Sequence, residues 1–152
     1  MAHTHMPRPT GLPDPDYRAE MYRDVPTKRL FAWVIDVFLI SVIVAILTLF
    51  TAFTALLFLP FLYGITSFLY RWGTIAARSA TPGMRFMAME LRTAEGERLS
   101  GSTAFLHTAG YFISFVTFPL QIVSMGMMLL TERNQGLSDA LLGTVALNKR
   151  TD

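Results

Sequence analysis

The sequence predicts an all-α membrane protein, built from a helical hairpin and a third apolar segment that bends near Pro119, with short β-strands on the cytoplasmic side. Three observations support this fold class. Of the 152 residues, 52% are hydrophobic and only 16% are charged, whereas about a quarter of a soluble domain is charged. Two long apolar tracts, Leu30–Tyr70 and Ala104–Leu130, hold a single formal charge, Asp36. A soluble domain of this size has too little interior to bury both tracts, but a bilayer can accommodate them.

The two ends of the chain have no apolar tract. Residues 1–24 are polar and rich in proline, so we expect a disordered tail, because such a segment buries too little apolar surface to offset the entropy of ordering. A cleavable secretory signal would have its apolar core much nearer to the start. We therefore expect a membrane domain over residues 25–148 and a short tail of residues 149–152. The chain has no cysteine, which excludes disulfides and thiolate metal sites.

The first tract is too long for one crossing. A single helix over Leu30–Tyr70 would measure ~60 Å, about twice the thickness of the hydrocarbon core. The tract must therefore fold back, and its most polar stretch, Thr48–Thr54, is the expected turn. This places helices at about residues 27–49 and 53–72. Pro60 would lie inside the second helix and is expected to kink it.

A polar loop over residues 73–103 separates the two tracts and carries several arginines. Ser79–Gly83 contains Pro and Gly, and it is expected to end the helix before it. From Arg85 to Thr93, apolar and polar residues roughly alternate, and Ala94–Glu97 has the composition of a turn. This pattern predicts a short strand followed by a turn.

The second tract, at about residues 104–130, leaves two interpretations open. It is long for one crossing and short for two, and Pro119 divides it near the middle. It could form one tilted, kinked helix or a shallow helical hairpin, which gives three or four crossings in total. After it, Leu137–Leu142 is typical of a short helix that Gly143 ends, and Thr144–Leu147 is typical of another short strand.

Basic residues predict the orientation. Lys and Arg collect on the cytoplasmic side of short loops. They lie before the first helix and in the loop of residues 73–103, but not in the Thr48–Thr54 turn. We therefore expect an integral protein of the plasma membrane (the inner membrane of a bacterium) with a cytoplasmic N-terminus. A lone strand is unstable, so Thr144–Leu147 is expected to pair with Met87–Leu91, which favours a cytoplasmic C-terminus.

Asp36 is the residue most indicative of function. A charged Asp at the centre of a membrane helix costs roughly 2.5–3.5 kcal/mol on insertion scales, so it needs a partner. Arg29 lies on the same face but ~10 Å along the helix axis, and Arg133 is an equally suitable partner. Asp36 then either binds a proton or a cation during transport, or forms a structural ion pair. His107 could join a proton relay or lie at the interface. Asp139 could cap the short helix that follows or pair with an arginine from the loop.

Other functional classes receive no support from the sequence. It contains no phosphate-binding glycine loop, nucleophile elbow or metal-spaced cluster of His and Asp, so we expect neither an enzyme nor a cofactor or metal site. The net charge is only +2, and basic runs with interleaved aromatic residues are absent, so a nucleic-acid partner is not expected. The lipid bilayer is the expected partner, and the sequence names no protein partner.

Three segments, taken together, resemble the RDD family of small helical membrane proteins, which is named for one arginine and two aspartates. Lys28–Asp36 resembles the arginine at the start of the first helix and the aspartate within it. Arg133–Val145 resembles the closing motif, with Ser138 where a His commonly precedes the aspartate. The middle motif is similar to Thr81, Pro82, Gly83 and Arg85.

The resemblance implies a fold and a set of candidate residues, but no single activity. It implies that Arg29, Asp36 and Asp139 form the signature. Some members of the family have been linked to sodium–proton exchange, which would make Asp36 the carrier, with Arg29 favouring its charged form. A chain with so few polar groups would then act as a homo-oligomer. The alternative is a membrane scaffold without transport, which binds lipid headgroups or a protein partner through the arginine-bearing loop.

Overall fold

Helices and one small sheet form the part of the chain that the computed structural model describes, residues 10–149. Two long apolar helices, a bent helix pair and a two-stranded sheet confirm the predicted helical class. In chain order the elements are α1 (Val25–Phe50), α2 (Leu59–Arg78), α3 (Pro82–Phe86), β1 (Met89–Arg92), α4 (Gly101–Val116), α5 (Phe118–Leu130), α6 (Leu137–Leu142) and β2 (Val145–Asn148). Short 3-10 helices lie at Ala19–Met21 and Thr54–Phe58.

α1 and α2 form the predicted helical hairpin. α1 is ~39 Å long, and both helices are long and apolar enough to cross a membrane. Thr51 follows the last turn of α1, and the backbone is left-handed at Ala52 and Phe53, which places the turn where the sequence predicts it. Large apolar side chains such as Phe38 and Leu49 are exposed along α1, as expected for a helix that faces lipid.

Two expectations for the second helix are wrong. Pro60 lies in the first turn of α2 rather than in its interior, and proline is tolerated there because first-turn amides have no acceptor within the helix. α2 also continues to Arg78, well beyond the predicted end at Trp72. Ile75 is buried in the core, so packing continues the helix beyond the apolar tract. Ser79, with a left-handed φ of 54°, ends it.

The second apolar tract forms two helices with a sharp bend between them. α4 and α5 meet at Thr117 and differ in direction by 117°. Pro119 lies in the first turn of α5, where proline suits the start of a helix. At ~24 Å and ~20 Å, neither helix alone spans a hydrocarbon core of ~30 Å. A bend of this size excludes one continuous helix, and it is compatible both with a broken third crossing and with the shallow hairpin.

β1 and β2 form the strand pair that the sequence predicts, within one or two residues of the expected positions. They are antiparallel, with Met89 opposite Asn148 and Arg92 opposite Val145. The expectation that the first strand pattern begins at Arg85 is wrong, because that residue belongs to α3. The sheet joins the segment after α2 to the C-terminal strand, so both lie at the same end of the molecule.

The main apolar core lies at this end of the hairpin. It combines Val25 at the start of α1 and Ile75 near the end of α2 with Met89 and Leu91 of β1. All four side chains are almost completely buried, and burying each contributes roughly 1.5–3 kcal/mol. The start of α1, the end of α2 and the sheet therefore form one packed unit.

Residues 10–24, which the sequence assigns to a disordered tail, pack onto the domain instead. Leu12 and Tyr22 are buried in a second apolar cluster with Val145 and Leu147 of β2. The side-chain amide of Asn148 donates hydrogen bonds to two carbonyl groups of this segment. The two buried apolar side chains offset the ordering entropy that the polar composition alone would leave unbalanced. The rest of the predicted tails, residues 1–9 and 150–152, lie outside the described residues.

Candidate functional site

Asp36 lies within α1 and accepts hydrogen bonds from two other elements. Its residue surface is only 1% exposed. Oδ1 accepts from the Tyr70 hydroxyl and from the Gly83 amide, each at 2.8 Å. Oδ2 accepts from the Thr81 hydroxyl at 2.5 Å. The carboxylate therefore joins α1 to α2 and to the start of α3.

The geometry of the Thr81-Pro82-Gly83 segment explains why these residue types stand there. Thr81 is extended and caps α3, since its hydroxyl oxygen accepts from the Met84 amide while its hydroxyl hydrogen points to Asp36. Gly83 packs directly on α1, and a Cβ at this position would lie 2.1 Å from the Ala32 carbonyl oxygen and 2.8 Å from Oδ1 of Asp36. Only glycine allows this approach. Two residues of the middle motif, Thr81 and Gly83, thus donate the hydrogen bonds that hold the Asp36 carboxylate.

The cation beside Asp36 is Arg71 of α2. Its Nη1 lies 3.8 Å from Oδ2 of Asp36, and both side chains are buried. The guanidinium carbon lies 4.6 Å from the centre of the Tyr111 ring, within the range of a cation–π contact. The Tyr111 hydroxyl in turn accepts a hydrogen bond from the indole of Trp33. Nε of Arg71 has no hydrogen-bond partner among the described residues.

Arg29, one of the two expected partners of Asp36, instead binds Asp139, the second aspartate of the signature. Arg29 Nη1 lies 2.5 Å from Oδ2 of Asp139, and the Gly136 amide donates to the same oxygen at 3.1 Å. Oδ1 lies 2.8 Å from Nε2 of His107 and accepts from the Thr144 hydroxyl at 2.9 Å. Because a carboxylate only accepts hydrogen bonds, the histidine nitrogen is the donor. Asp139 therefore joins α1, α4, α6 and the start of β2.

The surroundings of Asp139 keep this carboxylate charged. Burial by itself would raise the pKa of Asp139, but the positive charge of Arg29 and the hydrogen bond from His107 outweigh burial, so the pKa lies well below its usual range. Hydrogen bonds to a carboxylate and a nearby cation both favour its charged form. Both roles considered for this residue occur together, since Asp139 caps the start of α6 and pairs with an arginine. That arginine comes from α1 and not from the loop.

Most of the predicted site residues lie in two buried clusters, one around each aspartate, and the others lie outside both clusters. The Asp36 cluster includes Thr81 and Gly83, and the Asp139 cluster includes Arg29 and His107. Arg133 pairs with neither aspartate, so the expectation that it could be the partner of Asp36 is wrong. Pro82 occupies the first turn of α3, and Arg85 is exposed.

Sequence reasoning missed Tyr70, Arg71, Tyr111 and Thr144. Tyr70 and Arg71 end the first apolar tract, where a basic and an aromatic residue are usual at a membrane interface, so their composition alone did not mark them. Thr144 directly follows a glycine that ends a helix, which is a common place for any polar residue.

Within residues 10–149, no group of three or more Asp, Glu or His side chains is arranged to hold a metal ion.

Comparison with known proteins identifies one family. The chain matches the family model of the RDD family over residues 24–143. This range contains both aspartates, Arg29 and the Thr81–Gly83 segment. No curated protein and no solved structure matches the chain. With two helices that can span a membrane, and up to three spans if the bent pair is one, the chain is a membrane protein that belongs to the RDD family.

Proposed function

We propose that this chain is a membrane scaffold without transport activity, in which the two signature aspartates lock a compact unit onto the helical hairpin. The observation that carries the proposal is that protein groups already occupy most or all of the acceptor positions of both carboxylates. Asp36 accepts three hydrogen bonds and lies beside Arg71. Asp139 accepts from four partners, which fills the roughly four acceptor positions of a carboxylate.

A transported cation would have to displace these partners. Hard cations are bound by several oxygen atoms, and the only carboxylate oxygens inside α1 face an amide and two hydroxyl groups that already donate to them. Displacing the Gly83 amide would require α3 to move away from α1, because a backbone group cannot swing aside alone. Each hydrogen bond to a charged group that is lost in this way costs about 1.5–3 kcal/mol. The hydrogen bonds around Asp36 therefore favour a structural role for this residue over a role in carrying a cation.

The locked unit is the part of the molecule that would act on a partner. It comprises α3, the sheet, α6 and the segment of residues 10–24, all at the end of the hairpin where α1 begins and α2 ends. Two exposed arginines lie at this end of the hairpin, Arg78 at the end of α2 and Arg85 in α3. Because Lys and Arg collect on the cytoplasmic side, we place this unit at the cytoplasmic face of the plasma membrane. There it would contact anionic lipid headgroups or a protein partner.

One observation favours cation–proton exchange as a second candidate function. Arg71 is buried, yet its Nε has no hydrogen-bond partner among the described residues, and its nearest approach to Asp36 is 3.8 Å. An ion pair with incomplete hydrogen bonds is easier to rearrange than a saturated one. If Asp36 took up a proton, Arg71 would keep its contact with Tyr111, and the exchange would proceed through this pair.

A flux experiment separates the two candidates. Purified protein is reconstituted in liposomes with an internal pH dye, and sodium, potassium or lithium is added outside. The variants are Asp36→Asn and, as a matched control that removes an exposed acid, Glu132→Gln. The scaffold proposal expects no cation-dependent pH change in any of them, and reduced accumulation of Asp36→Asn alone. A pH change in the wild type and in Glu132→Gln that is lost in Asp36→Asn, with all three inserted, would overturn the scaffold proposal.

A further inference from the structure

A small cavity lies between the last turns of α2 and the start of α3, and neither aspartate lines it. Its volume is about 160 Å³. Gly73 and Ala77 form the α2 wall, Pro82 forms the α3 wall, and Arg78 and Arg85 line it from the two helices. The cavity therefore has one basic side and one side of small apolar groups.

The two arginines of this cavity differ from three other arginines among the described residues, which are ion-paired. Arg29, Arg71 and Arg92 each lie within 4.0 Å of a carboxylate. Arg78 and Arg85 are exposed, and within residues 10–149 neither lies that close to an acidic side chain. Two guanidinium groups that line one cavity favour an anion there, and arginine suits phosphate because its planar fork can donate two parallel hydrogen bonds.

The α2 wall of the cavity continues as an apolar strip along the helix. Ile65, Leu69, Gly73 and Ala77 follow one another at four-residue intervals and so share one face of α2. Ile65 is 60% exposed and Leu69 is 53% exposed. No atom lies within 4 Å of a Cβ built at Gly73, so the strip is open where it meets the cavity. Moving along this face from the arginines leads toward the middle of a helix that can span the membrane.

We propose that this cavity binds the phosphate group of an anionic phospholipid, with Arg78 and Arg85 on the phosphate and an acyl chain along Leu69 and Ile65. The apolar strip decides in favour of a lipid over free phosphate, since only a lipid has a part that fits it. Trp72, whose indole donates to the Gly101 carbonyl, lies beside Gly73 in the sequence, and tryptophan is enriched at the level of the headgroups. The inference deepens the scaffold proposal by naming the lipid class, and it rests on that proposal for the orientation of the locked unit.

Native mass spectrometry of the purified full chain in detergent tests the site. The probes are phosphatidylglycerol, phosphatidylcholine and inorganic phosphate. We expect phosphatidylglycerol to bind more tightly than phosphatidylcholine, and inorganic phosphate not to displace it at equal concentration. Arg78→Gln and Arg85→Gln should each weaken phosphatidylglycerol binding about fivefold, which is the effect of one basic residue near an anionic surface. Arg98→Gln, which removes an exposed arginine of the same polar segment outside the cavity, should leave binding unchanged.

Gly73→Leu provides a second variant that fills the cavity without touching a charge. Leucine favours a helix more than glycine does, the added Cβ meets no neighbour within 4 Å, and Gly73 is exposed, so the variant should fold while losing the preference for phosphatidylglycerol. Equal weakening by Arg98→Gln, or full binding by Gly73→Leu, would overturn the site. Binding of inorganic phosphate with the affinity of the lipid would overturn the lipid as the ligand. These outcomes are separate from the flux result, which alone decides between scaffold and carrier.

Discussion

Gly83→Ala is the substitution whose effect follows most directly from the geometry. The added Cβ would lie 2.1 Å from the Ala32 carbonyl oxygen, and ordinary contact begins at 3.4 Å, so α3 must move away from α1 by about 1.3 Å. Such a movement would stretch the hydrogen bond between the Gly83 amide and Asp36, which is 2.8 Å long, beyond bonding distance. Losing a hydrogen bond to a charged group costs about 1.5–3 kcal/mol. With the remaining strain, we expect a loss of roughly 2–4 kcal/mol in the free energy of unfolding.

Reversible unfolding of the purified protein in mixed detergent micelles measures this loss. Gly64→Ala is the matched control, because Gly64 lies within α2 and no atom lies within 4 Å of its added Cβ. We expect the control to be neutral or to stabilise by up to ~1 kcal/mol, since alanine favours a helix more than glycine does. If Gly83→Ala were as stable as Gly64→Ala, the close contact between α1 and α3 would not exist as described, and the role of the middle motif would have to be abandoned.

Three further predictions concern the two aspartates. Asp36→Asn keeps the shape of the side chain but leaves Arg71 buried without its carboxylate, so we expect a loss of about 3–5 kcal/mol in the same unfolding assay; a loss under 1 kcal/mol would contradict the ion pair. Arg29→Gln should lower the free energy of unfolding by about 2–4 kcal/mol, because it leaves the Asp139 charge with only His107 and neutral donors. If Arg29→Gln had the same effect in an Asp139→Asn background, the pairing of Arg29 with Asp139 would be contradicted. The pKa of Asp139 is lower in the folded chain than in the unfolded one, so its contribution is complete above the usual carboxyl pKa of about 4 and is lost as the pH falls further. Unfolding measured from pH 7 down to pH 3 should therefore show the wild type losing its advantage over Asp139→Asn on the acid side, and a constant difference would contradict the assignment.

Much of the architecture could be predicted because it depends on local composition. The apolar run over α1 and α2 is too long for one crossing, and the polar stretch around Thr51 was the only suitable turn. Gly143 ends α6 where the sequence indicates it, with a left-handed φ of 68°. The pairing of the two strands followed from the instability of a lone strand.

The partners of the two aspartates could not be predicted in the same way. Sequence spacing puts Arg29 and Asp36 on one face of a helix, but side chains seven residues apart lie ~10 Å apart along the axis. Tertiary packing instead brings α2 beside Asp36 and α6 beside Arg29, so Arg71 and Asp139 become the partners. Arg29 therefore pairs with the second aspartate of the signature, and the first aspartate pairs with Arg71, which lies outside the signature.

The packed N-terminal segment was missed for a related reason. Its composition is polar, and only Leu12, Met21 and Tyr22 contact the second apolar cluster. Two or three apolar side chains in a polar segment give no periodic pattern, yet they suffice here because β2 already presents Val145 and Leu147 to them. The place of Pro60 in the first turn of α2 could not be predicted either, because it depends on the residue at which the turn before the helix ends.

Double-mutant cycles on the arginine–aspartate pairs test the central claim most directly, namely that the signature residues act as two separate structural locks. The free energy of unfolding is measured for Arg29→Gln, Asp139→Asn and Asp36→Asn, and for the combinations of Arg29→Gln with each aspartate variant. We expect a coupling energy of about 1–3 kcal/mol between Arg29 and Asp139, and a value near zero between Arg29 and Asp36. Strong coupling of Arg29 to Asp36, with none to Asp139, would contradict the account.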